Sequence, residues 1–152
     1  MNRAWTFIIS KQLSETELET LSASGKAFVK HWTAHENKLS ADFMIFKNRI
    51  IVVQVNEDVN NASGCSIDKL TRFIKESEAA LNVELLNRFL IAYKNEGHVE
   101  VVHVSQVKEL LAVNTLNENT IVYNTALANQ TELKNWEQPL KTTWLSKYLQ
   151  NA

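Results

Sequence analysis

Apolar and polar positions alternate from Trp5 to Ser10, with Trp5, Phe7 and Ile9 on one side and Thr6, Ile8 and Ser10 on the other, which is the period of a strand. At Ser14 the period changes. Ser14 and Glu17 have the spacing of a capping box, and Leu18, Leu21, Gly25, Phe28, Val29 and Trp32 then recur at helical intervals, predicting an amphipathic helix that ends near His35. Two β-rich runs follow, Ala41 to Phe46 and Ile50 to Val55, separated by Lys47, Asn48 and Arg49, a length that suits a hairpin. The second run is apolar on both faces apart from Gln54, the mark of a central strand.

The polar stretch Asn56 to Ser63 leads to a second predicted helix, from about Ser66 to Leu81, with Ile67, Leu70, Ile74 and Leu81 on its apolar stripe and Asn82 as a left-handed stop. Phe89 to Lys94 and His98 to His103 form another hairpin around Asn95, Glu96 and Gly97, read as a three-residue loop. A short helix capped by Ser105 carries Val107, Leu110 and Leu111, and Thr120 to Asn124 is a last strand. Thr131 to Glu137 reads as helical, and Pro139 suits the first position of a further helix running to about Leu149.

The element order is therefore βαββαββαβα, an α+β domain with a mainly antiparallel sheet and helices packed on it. Its first six elements read βαββαβ, the order of a ferredoxin-like unit. With three Gly and one Pro there is no linker at which to divide the chain, so residues 1–152 read as one domain. Asn supplies the loop chemistry instead, at Asn48, Asn60, Asn61, Asn82, Asn95, Asn114, Asn117 and Asn119.

Composition narrows the function classes. At 152 residues and 45% hydrophobic the chain is long enough for one core without a staple. Sixteen Lys and Arg against seventeen Asp and Glu give a net charge of −1, which disfavours general binding to nucleic acid or to an anionic membrane. No apolar run approaches the roughly 18 residues of a membrane span, and the apolar stretch after Asn2 and Arg3 stops at Ser10, short for a signal peptide, so a cytoplasmic location is expected. One cysteine excludes an internal disulfide, a CxxC pair and a zinc site built on several thiolates.

The stretch Ala62-Ser63-Gly64-Cys65-Ser66-Ile67-Asp68 crowds small and hydroxylated residues at a predicted helix start, where unpaired N–H groups and the helix dipole favour negative charge. An anion held there, or a Cys65 thiol with a lowered pKa, would exploit that position. Helical spacing puts Cys65, Asp68, Lys69 and Arg72 on one face, opposite Ile67, Leu70 and Ile74, with Arg72 supplying charge and Asp68 orienting it. The structural alternative is a Ser63 or Ser66 cap, a tight turn at Gly64 and Cys65 filling a gap under the loop. Nucleophilic catalysis lacks a histidine base nearby in sequence, and Glu57, Asp58 and Asp68 would oppose a thiolate.

Three further patterns carry candidate chemistry. His31 and His35 stand four apart, a chelating spacing on a helix, but no third ligand is specified and both suit a helix C-terminus. Ser22-Ala23-Ser24-Gly25-Lys26-Ala27 has the tail of a phosphate loop, yet Thr20 and Ala27 stand where the motif needs Gly and Ser or Thr, and the segment lies inside a helix. Gly25 is better explained by another element packing closely on the helix. Trp136, Leu140, Trp144 and Tyr148 repeat every four residues, a stripe expected to complete the core in preference to meeting a second chain.

Trp32, Ala34-His35, Leu39, the string Ser63-Gly64-Cys65-Ser66-Ile67-Asp68, Arg88, Val122-Tyr123-Asn124, Trp136, Pro139 and Trp144 together resemble a family of short bacterial proteins often carried under the label "ABC transporter ATPase". The resemblance adds His35, Arg88 and Asn124 to the candidate binding residues Ser63, Gly64, Cys65, Ser66, Asp68 and Arg72. It implies no catalytic residues, and the label conflicts with the incomplete phosphate loop. The expectation is a soluble binding or interaction domain without ATPase activity, cofactor or metal. Its partner would be a small anionic ligand or another protein, and the chain itself a monomer or weak homodimer. The alternative is a thiol-dependent enzyme or redox sensor using Cys65.

Overall fold

Strand order explains why so few strands of this chain alternate cleanly between apolar and polar. The computed structural model describes residues 2–151. Along them run β1 (Arg3–Ile8), α1 (Glu15–His31), the short strands β2 (Thr33–Ala34) and β3 (Asn37–Lys38), β4 (Ser40–Phe46), β5 (Ile50–Asn56) and α2 (Gly64–Leu81). The second half holds β6 (Leu90–Asn95), β7 (His98–His103), α3 (Val107–Ala112), β8 (Ile121–Tyr123), α4 (Gln130–Lys134) and β9 (Glu137–Pro139), then two 3-10 segments, Leu140–Thr142 and Trp144–Asn151. The class is α+β, and every paired strand is antiparallel to its neighbour.

One sheet has the order β1-β5-β4 and another the order β7-β6-β8-β9. On β5, Ile51, Val53 and Val55 face α1 and α2 with Leu21, Val29, Trp32, Phe43, Leu70 and Ile74. Its other face carries Ile50 and Val52, which pack with Ala92, Val99, Tyr123 and Trp136 of the second sheet. The outer face of that sheet, Ile91, Tyr93 and Val122, is closed by Val107, Leu111, Leu116, Leu140 and Leu145. Helices, sheet, sheet and helical turns thus stack in layers, and β5 and β6 are apolar on both faces because each has a layer on either side.

β5 lies between β1 and β4, the split arrangement of a ferredoxin-like unit. The sixth element departs from it. β6 pairs with β7 and β8, and the place beside β1 is taken by the irregular stretch 125–130. There the Ala4 N–H donates to the Ala128 carbonyl at 3.2 Å, Arg3 bridges to Asn129, and the Thr6 hydroxyl donates to the Thr125 carbonyl at 3.0 Å.

Several boundaries differ from the sequence expectation for local reasons. α1 stops at His31, because Trp32 turns to an extended conformation and Thr33–Lys38 form a small hairpin whose turn residues, His35 and Glu36, have φ of 52° and 68°. The Asn95-Glu96-Gly97 loop is a two-residue turn: Asn95 pairs with His98, and Glu96 and Gly97 have φ of 50° and 83°, the pattern that matches strand twist. His103, not Ser105, caps the turn before α3, with the Ser105 N–H donating to His103 Nδ1 at 3.1 Å. Pro139 ends β9 instead of starting an α-helix, and the 3-10 segments beyond it replace the predicted terminal helix. With about three residues per turn, Leu145 is turned inward at 1% exposure and Trp144 outward at 57%, so the four-residue stripe does not complete the core as a unit.

Gly25, in contrast, has the predicted role. α1 lies on β4 so closely that a Cβ at Gly25 would come within 3.0 Å of three atoms of the Phe43 ring. Asn48, Asn82 and Asn114 adopt the left-handed conformation, with φ of 64°, 53° and 63°.

Candidate functional site

At the start of α2 the two serines consume each other's hydrogen bonds. Ser63 is the N-cap: the Ser66 N–H donates to Ser63 Oγ at 3.2 Å, and the Ser63 N–H donates to Ser66 Oγ at 2.7 Å. The Ser66 hydroxyl in turn donates to the Ser63 carbonyl at 2.8 Å, and Ser66 is fully buried. The helix therefore begins at Gly64, two residues before the predicted start, because this reciprocal box closes one turn earlier. The indole N–H of Trp32, also buried, donates to the Ser66 carbonyl at 2.8 Å and ties the end of α1 to this turn. The small hydroxylated cluster accordingly has a structural task.

Cys65 is exposed and does not fill a gap beneath the loop. Asp68, Lys69 and Arg72 are exposed with it, while Leu70 and Ile74 are buried on the other side, as helical spacing predicts. Asp68 and Arg72 do not form the expected i, i+4 pair: among the described residues the ion pair found is Lys94 with Glu137, at 3.7 Å. Lys69 instead donates to the Thr33 hydroxyl at 3.3 Å. His35 lies exposed on the β2–β3 turn and shares no helix face with His31. Among the described residues no cluster of three or more His, Cys, Asp and Glu is placed to hold a metal.

Arg88 and Asn124 do line one cleft, at some distance from that turn. Arg88 follows the C-terminal end of α2, whose 18 residues span about 27 Å from Cys65's end. It lines a cleft of about 340 Å³ together with Asn124, Thr125, Gln138, Thr143 and Trp144, over a floor that includes Ile91, Val122 and Leu145. A neighbouring hollow of about 400 Å³ shares Arg88, Leu90, Thr125 and Ala126 and extends along Thr6, Phe7 and Ile8 of β1. Thr125 and Ala126, at the start of the stretch that takes the edge of β1, thus line both hollows. Neither hollow is lined by His35 or by Ser63, Gly64, Cys65, Ser66, Asp68 or Arg72.

The chemistry of the cleft is that of an anion receptor with an apolar side. Arg88 is exposed and is the only charged residue in its lining. Asn124 Oδ1 accepts from the Ala126 N–H at 3.1 Å, which fixes the amide and leaves its NH₂ as a donor. Thr143 is occupied: its hydroxyl donates to the Leu140 carbonyl at 2.8 Å and accepts from the Leu145 N–H at 3.2 Å. Trp144 contributes an exposed indole, with the Lys147 ammonium over the ring 5.3 Å from its centroid. The stripe reading missed this because four-residue spacing assumes an α-helix, whereas the break at extended Thr143 sets the Trp144 direction.

Comparison with known proteins gives no relative: no protein-family model, no curated protein and no solved structure matches this chain. Among the described residues no helix is long and apolar enough to cross a membrane.

Proposed function

We propose that this chain is a cytoplasmic binding domain that takes a small anionic ligand in the Arg88–Asn124 cleft, with no ATPase activity and no nucleic-acid partner. The observation that carries the reading is Arg88 itself, an exposed guanidinium without a carboxylate partner among the described residues, beside a fixed amide and an exposed indole. A guanidinium pairs with the planar or tetrahedral oxygens of carboxylate and phosphate, and an indole face covers an apolar or aromatic body. The resemblance to the short bacterial family supports the choice of Arg88 and Asn124 and nothing beyond them. Gly25 and Lys26 lie inside α1, where backbone amides are committed to the helix and cannot cradle a triphosphate, which supports the absence of ATP hydrolysis.

Phenyl phosphate is the probe that tests the reading. Titrated into the labelled protein, it should shift the amide signals of Asn124, Thr125, Thr143 and Leu145, and Arg88→Gln should abolish those shifts. Shifts scattered over the surface, or unchanged in Arg88→Gln, overturn the assignment. Phosphate release from Mg-ATP should equal the buffer blank; turnover lost in Lys26→Ala would overturn that part.

One observation favours the thiol alternative, the exposure of Cys65 in the first turn of α2. It requires alkylation by iodoacetamide to continue well below pH 7, since the thiolate is the reacting species. An ordinary thiol profile removes it.

A further inference from the structure

A second groove, independent of the Arg88 cleft, lies on the helix side of the first sheet. Its volume is about 630 Å³, and it is lined by Lys26, Val29 and Lys30 of α1, by Lys38, Leu39, Ser40 and Ala41 along β3 and β4, and by Val59 and Asn60 of the loop before α2. No acidic residue lines it, although the chain as a whole carries a net charge of −1. Lys26 and Lys30 are one helical turn apart on α1, and Lys38, on β3, lines the same groove. None of the three forms an ion pair among the described residues. Lys30 also lies in the last turn of α1 and offsets its dipole, which explains one of the cations but neither Lys26 nor Lys38.

The other wall points to the rest of the ligand. Asn60 Nδ2 donates to the Lys38 carbonyl at 2.8 Å and fastens the loop to β3. Beside it Val59 stands 61% exposed, an apolar side chain without a core to join, at the rim of a groove whose floor includes Val29, Leu39 and Ala41. Like charges gathered on a concave surface raise the local concentration of a multivalent anion, and an adjacent apolar wall favours an anion that carries an organic body.

We propose that Lys26, Lys30 and Lys38, with the Val59 wall, form a binding site for a small organic diphosphate. The lysines engage the diphosphate as point charges, and the organic body lies on Val29, Leu39, Ala41 and Val59.

Pyrophosphate and geranyl diphosphate, which share a head and differ in the apolar body, are the probes. Both should bind saturably at low ionic strength, shifting amide signals in Lys26–Lys30 and Lys38–Ala41, and these shifts should persist in Arg88→Gln, which separates this site from the cleft described above. Geranyl diphosphate should bind at least about tenfold more tightly, the effect of withdrawing a few methylene groups from water. Each Lys→Gln change at 26, 30 or 38 should weaken both probes by up to about fivefold, the value of one exposed charge pair, and raised salt should weaken them together. Val59→Ser should weaken geranyl diphosphate alone. All four side chains are exposed, so the variants should fold, as their circular dichroism would verify. Absence of saturation by either probe, or binding indifferent to the lysines, overturns the site, and equal affinity for the two probes overturns the role of the apolar wall.

Discussion

Replacing Gly25 with Ala sets two effects of opposite sign against each other, and the packing of α1 on β4 decides between them. In a helix interior, Ala is favoured over Gly by about 1 kcal/mol. The new methyl, however, would come within 3.0 Å of three atoms of the Phe43 ring. That ring cannot swing away cheaply: Phe43 is 4% exposed and meets Phe73 edge-on, with centroids 6.1 Å apart and planes at 84°. Overpacking of a tight core costs about 1–3 kcal/mol, and overlap with three atoms of a fixed ring takes the upper part of that range, about 2–3 kcal/mol, so it outweighs the propensity gain. The expected net loss is about 1–2 kcal/mol, read in urea titration or as a fall of roughly 2–8 °C in melting temperature for a domain of this size. The decisive measurement is the same substitution in a Phe43→Ala background. With the ring absent the clash disappears, and Gly25→Ala should now raise stability by about 1 kcal/mol, on a baseline lowered by about 3–5 kcal/mol. A Gly25→Ala protein that melts at or above the wild type, or a sign that does not reverse without Phe43, would refute the account of this contact.

Three further outcomes follow from particular contacts. Trp32→Phe keeps most of the buried ring area but deletes the donor to the Ser66 carbonyl; thermal unfolding should show a loss of about 1–2 kcal/mol, and no loss would mean that this bond does not hold the turn. Leu145→Ala should cost about 2–5 kcal/mol, whereas Trp144→Ala should stay within about 0.5 kcal/mol in stability while weakening phenyl phosphate but not inorganic phosphate, and comparable melting losses in the two variants would return Trp144 to the core. The Glu17 carboxyl is held below its ordinary value, first by the Ser14 backbone N–H and then by the Ser14 hydroxyl, with Lys11 adding to them. A depressed carboxylate contributes stability above its unfolded pKa and loses it as pH falls through the folded value. Ser14→Ala removes the hydroxyl and keeps the backbone N–H, so it should raise the Glu17 pKa part of the way in a carboxyl-detected titration and partly flatten the acid limb of the stability curve, and an unchanged pKa would contradict the hydroxyl's share.

Local chemistry was legible wherever a few neighbouring residues settle the outcome among themselves. The capping box at Ser14 and Glu17, the αL stop at Asn82, the central position of β5 and the close approach at Gly25 all follow from side-chain size, backbone freedom or periodicity within one element. The exposed face shared by Cys65, Asp68, Lys69 and Arg72 follows from the same periodicity. Boundaries failed where two local signals competed. The stripe through Trp32 continued the helix on paper, yet Trp32 leaves it to reach the Ser66 carbonyl, a partner 34 positions away that no local window contains.

The α+β class and antiparallel pairing were contained in the order of the elements, because hairpins of two or three residues admit no other pairing. The tertiary structure alone decided that the strands form two stacked sheets, since a strand apolar on both faces demands two layers without specifying which. It also decided that residues 125–130 take the edge of β1, and that Arg88 and Asn124 line one cleft. The serines and Cys65 are neighbours in sequence and carried a visible motif, but the hydrogen bonds of Ser63 and Ser66 are spent on one another. Arg88 and Asn124 are 36 positions apart, and Lys38 is separated from Lys26 by a helix end and a turn. Convergence of that kind depends on how layers pack, and packing is set by the shape of the whole core instead of by any segment of it.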